Sequence, residues 1–186
     1  MTPSQLDRIL NSGNVYLAGN GGSQARWSWR LTNSHGDDYA DNLENMLDGL
    51  NTTSFKTGEA NYPWIQVALK RKYLITKVAI LSGEERLMNL EVRLGDIGIA
   101  NTKSSGQLGN KRITENEKCG VFYGPTLVHQ QWVEVDCGTS RGIKGRFLSL
   151  QLMERYDGNH PLEITRLEIY GWGTACGNSD PDSIQN

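Results

Sequence analysis

The chain of 186 residues has no apolar run near the roughly 18 residues needed to span a bilayer, so no segment reads as a transmembrane helix. It lacks an excess of either charge. With 19 basic and 21 acidic side chains the net charge is −2, and no global field exists to draw the protein onto nucleic acid or anionic lipid. Histidine is scarce: His35, His129 and His160 stand far apart, and none belongs to an HExxH, Cys-His or nucleophile-elbow pattern. The Gly-rich "GNGGSQ" lacks the Lys-Ser/Thr pair of a phosphate loop and reads as a turn. These absences leave no candidate catalytic set, and the expectation is a protein that is not an enzyme. The opening "TPSQLDRILNS" also lacks the basic and apolar regions of a signal peptide. For a secreted protein, the expectation is then that Met1 begins a mature fragment.

Cysteine is present but uneven, since three residues cannot all pair within one chain. Cys119 and Cys137, eighteen positions apart, are the natural pair. Closing a loop of that size removes freedom from the unfolded chain and is worth on the order of 3 kcal/mol. Such a bridge persists only in an oxidising compartment, and three reduced thiols in a cytosolic protein are the alternative. Cys176 lies in the small, polar "GWGTACGNSDPDSIQN", where the expectation is a bond to a region outside these 186 residues or an intermolecular disulfide to another subunit.

What the chain has in quantity is short strand-like runs. "WIQVAL", "YLITKVAIL", "NLEVRLG", "WVEVDCG", "GRFLSLQL" and "LEITRLEIYG" are rich in Val, Ile, Leu and aromatics, several with alternation at period two. Gly, Asn and Ser clusters separate them, and the 21 glycines suit a fold of many turns. Strands without intervening helices bury their apolar faces against another sheet, so the pattern predicts an all-β, antiparallel β-sandwich. Residues 1–13 read as an extension in which "PSQLDRIL" is a candidate short helix capped by Ser4 and Asp7. Residues 14–173 read as the single folded domain and 174–186 as a flexible tail or linker. Trp64, with Val67 and Leu69, is expected between the sheets, and Trp27 and Trp29 on one face of an N-terminal strand. Asn51, in "NTT", heads the one N-glycosylation sequon.

The serial order of motifs carries a resemblance: "NVYLAG", "NMLDGLNTTSF", "YPWIQVAL", "ITKVAI", "ERLMNLEVRLGD", "CGVFYGP", "VEVDCG", "GRFLSLQL" and "LEIYG". Over roughly residues 14–171 the chain resembles the F-type lectin (fucolectin) family within the discoidin-like, galactose-binding-like jelly rolls. The resemblance implies a jelly roll of about eight strands, extracellular display, the Cys119–Cys137 disulfide, and sugar binding in loops at one end. The family's sugar-binding His has no match between Asp48 and Trp64, where Lys56 is the nearest base, and the first Arg and the Asp are missing from "ILSGEERLMN". Arg86, before Leu87, matches the second Arg. Each charge-assisted hydrogen bond to a sugar contributes roughly 1.5–3 kcal/mol, so losing two donors removes ordinary fucose recognition. Lys56, Glu84 and Arg86 are thus the candidate ligand-binding residues for another glycan or glycoprotein. An acidic or sulfated sugar would suit them if Lys103 or Lys111 joins the cluster.

The resemblance also implies a structural calcium around the Asn-x-x-Asp-Gly turn, and Asn45 and Asp48 match that turn. But Arg166 stands where the family carries a Glu, and Glu59 where it carries a small hydroxyl. A guanidinium suits the cation's place, pairing with Glu59 and Asp48, as discoidin domains with an Arg in the last strand do without metal. No cofactor is expected. The alternative to a lectin-like module is a protein-binding adhesion or receptor ectodomain fragment that uses the jelly roll as a scaffold toward a cell-surface partner.

Overall fold

A computed structural model of the chain describes residues 7–8, 45–46, 49–57, 62–98, 113–138, 141–153 and 160–173. Their strands are β1 (Asp7–Arg8), β2 (Phe55–Lys56), β3 (Trp64–Ser82), β4 (Leu90–Gly95), β5 (Glu117–Phe122), β6 (Trp132–Asp136), β7 (Ile143–Leu152) and β8 (Glu163–Gly173). All pairings are antiparallel, in the order β1-β8-β3-β7-β4-β5, with β2 added on β8 and β6 on β3. The all-β sandwich expected from the alternating runs is present.

The 19-residue β3 organises the molecule. Its first part, Trp64–Ala68, pairs with β7, while Lys77–Leu81 lies between β6 and β8. Two runs that read as separate strands are one strand, passing from one layer to the other through irregularities between Ala68 and Tyr73 and between Ile75 and Lys77. The second irregularity also flips the alternation: Ile65, Val67, Leu69 and Ile75 face the core on odd positions, Val78 and Ile80 on even ones. Against them pack Leu90, Val92 and Leu94 of β4, Leu148, Leu150 and Leu152 of β7, Val133 and Val135 of β6, and Ile164, Leu167 and Ile169 of β8. Each such side chain contributes roughly 1.5–3 kcal/mol on burial.

The sulfur bridge sits at the side of this sandwich. Cys119 of β5 and Cys137, just after β6, form a disulfide, with Cys137 N–H donating to Thr76 O at 2.8 Å. Among the described residues β5 pairs with β4 alone and β6 with β3 alone, so the bond joins the outer strands of the two layers.

Two expectations need correction. Asp7 and Arg8 do not belong to a helix; they pair with Gly171 and Tyr170 at the edge of β8, whose open backbone groups favour an added strand over a short isolated helix. The other residues of that segment lie outside the described ones, as do Trp27, Trp29 and Cys176. Trp64 is buried, at 2% exposure, but on the opposite face of β3 from Val67 and Leu69, because three residues along a strand reverse the side chain's direction. It lies across from Gln151 and Glu91, in a polar layer that also holds Gln66 and Ser149.

Candidate functional site

At the end of the sandwich away from the disulfide, three connections meet: residues 49–54 before β2, the turn 83–87 after β3, and residues 123–131 between β5 and β6. The turn is clasped from both sides. Gly83 N–H donates to Glu163 O at 3.3 Å and Gln130 N–H to Gly83 O at 3.3 Å, while Thr126 N–H donates to Leu87 O at 3.0 Å and the Thr126 hydroxyl accepts from Leu87 N–H at 3.1 Å. His129 Nδ1 lies 2.9 Å from Glu84 O, which fixes the ring proton on Nδ1 because a carbonyl only accepts.

Glu163 is the centre of this arrangement. Its side chain lies at the first position of β8, 6% exposed, and both oxygens are used: Oε1 accepts from Ser54 Oγ at 2.8 Å and Oε2 from Glu85 N at 3.0 Å. A buried carboxylate is tolerable only when hydrogen-bonded. The close approach also dictates Gly83, since a Cβ there would stand 2.4 Å from the Glu163 Cγ and Cδ atoms. Glu163 thereby ties the segment before β2 to the turn after β3. Between them opens a shallow cleft of about 110 Å³, lined by Asn51, Thr52, Thr53, Ser54, Gly83, Glu84, Gln130, Glu163 and Thr165. Amides, hydroxyls and carboxylates supply most of that lining, and it holds no Lys or Arg.

The predicted ligand residues fall around this cleft in different ways. Glu84 lines it and is exposed. Lys56 stands beside it on β2, bonded to Glu85 Oε1 at 2.8 Å. That hydrogen bond, with the neighbouring Glu163 and Glu84 charges and against partial desolvation, raises the lysine's proton affinity above its ordinary value. The positive charge of Lys56 is therefore matched by a carboxylate of its own protein. Arg86 is exposed on the same turn, outside the lining. Lys103 and Lys111 lie outside the described residues. Sequence reasoning did not find Ser54, Gln130, Glu163 or Thr165 as a site. The hydroxyl-rich "NTTS" directly after the Gly49 turn was the available signal; Glu163 gave none, since it stands in an ordinary strand pattern.

Arg166 answers the calcium expectation. Its Nη1 donates to Gly49 O at 3.0 Å and approaches Asn51 Oδ1 at 3.5 Å, and Nη2 pairs with Glu168 Oε1 at 3.0 Å. The other Glu168 oxygen accepts from the Tyr170 hydroxyl. Asn45 turns its side-chain amide to Ser54 O, donating at 3.0 Å rather than offering an oxygen. A guanidinium thus takes up the Gly49 carbonyl of the turn; no group of three or more metal-ligating side chains occurs among the described residues. Asp48 and Glu59 lie outside the described residues.

No protein-family model matches the chain, and no curated protein does. Solved structures do match. The fold is similar to that of an F-type lectin (fucolectin) from striped bass (Morone saxatilis) serum, at 21% identity over 70% of this chain and 41% of that one, with a TM-score of 0.53. It is also similar to the module CBM32-6 of Clostridium perfringens, at 15% identity over 77% of this chain and 91% of that one, TM-score 0.53. A family 89 glycoside hydrolase of the same bacterium, in complex with 2-acetamido-1,2-dideoxynojirmycin, matches at 13% identity over 70% of this chain and 13% of that one, TM-score 0.52. The chain thus spans less than half of the fucolectin's length and a small part of the hydrolase's. The fold is the galactose-binding-like jelly roll shared by F-type lectins and family 32 carbohydrate-binding modules.

Proposed function

We propose that this chain is a noncatalytic, extracellular recognition module that binds carbohydrate, with a specificity diverged from fucose, in the cleft between residues 51–54 and Gly83–Glu84. The lining of the cleft carries this reading: it offers fixed amide donors and hydroxyl and carboxylate acceptors, the pattern that a hydroxyl-rich ring requires. Its shallowness suits the end of a glycan chain rather than an engulfed substrate. Glu84 is the direct contact, Arg86 reaches the ligand from the outer lip, and Lys56 acts by holding Glu85. Glu163 is committed by both its oxygens to fixing the walls, which supports binding over acid–base chemistry. The Cys119–Cys137 bond supports an oxidising compartment, and no described helix is long and apolar enough to cross a membrane. Specificity leans to neutral sugars, because the lining holds carboxylates and no cation. The test is a glycan array probed with the wild-type chain and Glu84→Ala: selective binding reduced at least tenfold in the variant supports the proposal, and a blank array with neutral, fucosylated and sulfated sugars all present overturns it.

A second reading has its own observation. Tyr123, Leu127 and Val128 on the β5–β6 connection are 72%, 76% and 65% exposed, and Leu50 is 53% exposed. Such apolar tips suit a protein partner. Capture of a cell-surface protein that is lost on Leu127→Ser with Val128→Ser, sugar binding being absent, would favour the adhesion-fragment alternative.

A further inference from the structure

The sequon and the cleft are the same piece of chain. Asn51, Thr52 and Thr53 all line the cleft, and Asn51 and Thr52 are exposed. The Asn51 backbone is pinned, its carbonyl accepting from Gln130 Nε2 at 2.9 Å. Its side-chain amide is oriented as well: Oδ1 faces Arg166 Nη1 at 3.5 Å, which turns Nδ2, the atom that carries an N-linked sugar, away from the guanidinium. A substituent on Nδ2 therefore starts from a residue that itself lines the depression.

We infer that Asn51 is a modification site that controls occupancy of the cleft: an N-linked glycan on Asn51 and a sugar ligand exclude one another. The inference rests on the carbohydrate-binding reading above. In the modification, Asn51 Nδ2 forms a bond to the anomeric carbon of an oligosaccharide carried on a lipid pyrophosphate. The anomeric C–O bond breaks, the lipid pyrophosphate leaves with the electron pair, and one amide proton is lost. The amide oxygen is unchanged, so the Arg166 contact survives and holds the first sugar ring over the mouth of the cleft. The cleft is small enough for one ring to cover it. Two forms of one chain result, an open one that binds and a capped one that does not.

The experiment compares the same wild-type sequence made in two hosts. One is a bacterial periplasm, which forms the disulfide without N-glycosylation; the other is a secreting animal cell. Intact mass reads the modification, and a glycan array followed by calorimetry with the best ligand reads binding. The expected result is a glycan on Asn51 in the animal-cell product, binding at least tenfold weaker than for the bacterial product, and recovery after enzymatic removal of the glycan. Equal affinity of the two forms, or an unmodified Asn51 in the secreted chain, overturns the inference while sugar binding by the bacterial product leaves the functional reading standing. A blank array for the bacterial product overturns the functional reading and this inference with it.

Discussion

The two ends of this sandwich are held by different forces. At one end the edges of the layers are joined by Cys119–Cys137 and flanked by the apolar core, to which both cysteines belong. At the other, Glu163, Arg166, Gln130 and Thr126 fix three connections almost wholly by hydrogen bonds and ion pairs. Apolar burial and a covalent ring tolerate almost any loop sequence, whereas the polar end depends on named donors and acceptors. Buried apolar surface and a covalent bond thus hold one end, and directional polar contacts the other.

Removing the ring should give the largest effect and the cleanest separation. Cys119→Ala with Cys137→Ala is expected to lose about 3 kcal/mol, a fall of roughly 6–12 °C in Tm for a chain of this size. The sugar affinity of the folded variant should stay within about twofold, because Gln130 is held by Gly83 and Asn51 independently of the bridge. A large affinity loss would break the division between the two ends.

Arg166→Met tests the polar end next. It releases Gly49 O and Asn51 Oδ1 and takes the guanidinium from buried Glu168, so a loss of about 2–3 kcal/mol in thermal or urea unfolding is expected, below the cost of breaking a fully buried pair. Calcium or a chelator should leave the wild-type Tm unmoved, since a ligand shifts Tm only by binding the native state.

Glu163→Gln is smaller in stability and larger in binding. The amide keeps both partners only in one orientation, its oxygen accepting from Glu85 N–H and its Nε2 donating to the Ser54 hydroxyl, so two charge-assisted hydrogen bonds become two weaker neutral ones. About 1–2 kcal/mol should disappear on melting, with calorimetry showing weaker sugar binding as the walls separate.

The smallest effect belongs to Lys56. As a half-exposed pair with Glu85 it is worth about 0.2–1 kcal/mol, so Lys56→Met should barely move the melt. The sign with pH is definite. Because the folded lysine holds its proton above the ordinary value of 10.5, its contribution is complete below that value and fades as pH rises through the elevated one. Urea melts of wild type and variant should therefore keep a constant gap from pH 6 to pH 9 and converge only above roughly pH 10–11.

The sequence shows most of the fold because alternation is a local signal. In β6, Val133 and Val135 are buried while Trp132, Glu134 and Asp136 are exposed. β5 was not legible because Glu117, Lys118 and Gly120 break the pattern at an edge, where Cys119 alone of the strand is buried. The continuity of β3 was hidden by the charged Lys70–Lys72 stretch, which marks its passage between layers. The site was legible only in part: Glu84 stands in a turn and draws notice, whereas Glu163 acts through partners 109 and 78 residues away, a relation no local pattern encodes. Arg166 was visible as an odd residue in the last strand, but its bond to Glu168 depends on β8 side chains sharing one face.

Both feet of the connection from Phe122 to Trp132 stand on strands anchored in opposite layers, and a sulfur staple closes the circuit behind them. Its tip at Leu127 and Val128 projects outward, so it is a handle on which foreign peptide can be spliced with little entropic penalty to the frame. New sequence inserted there would inherit rigid moorings and be carried beside the cleft that Gln130 lines.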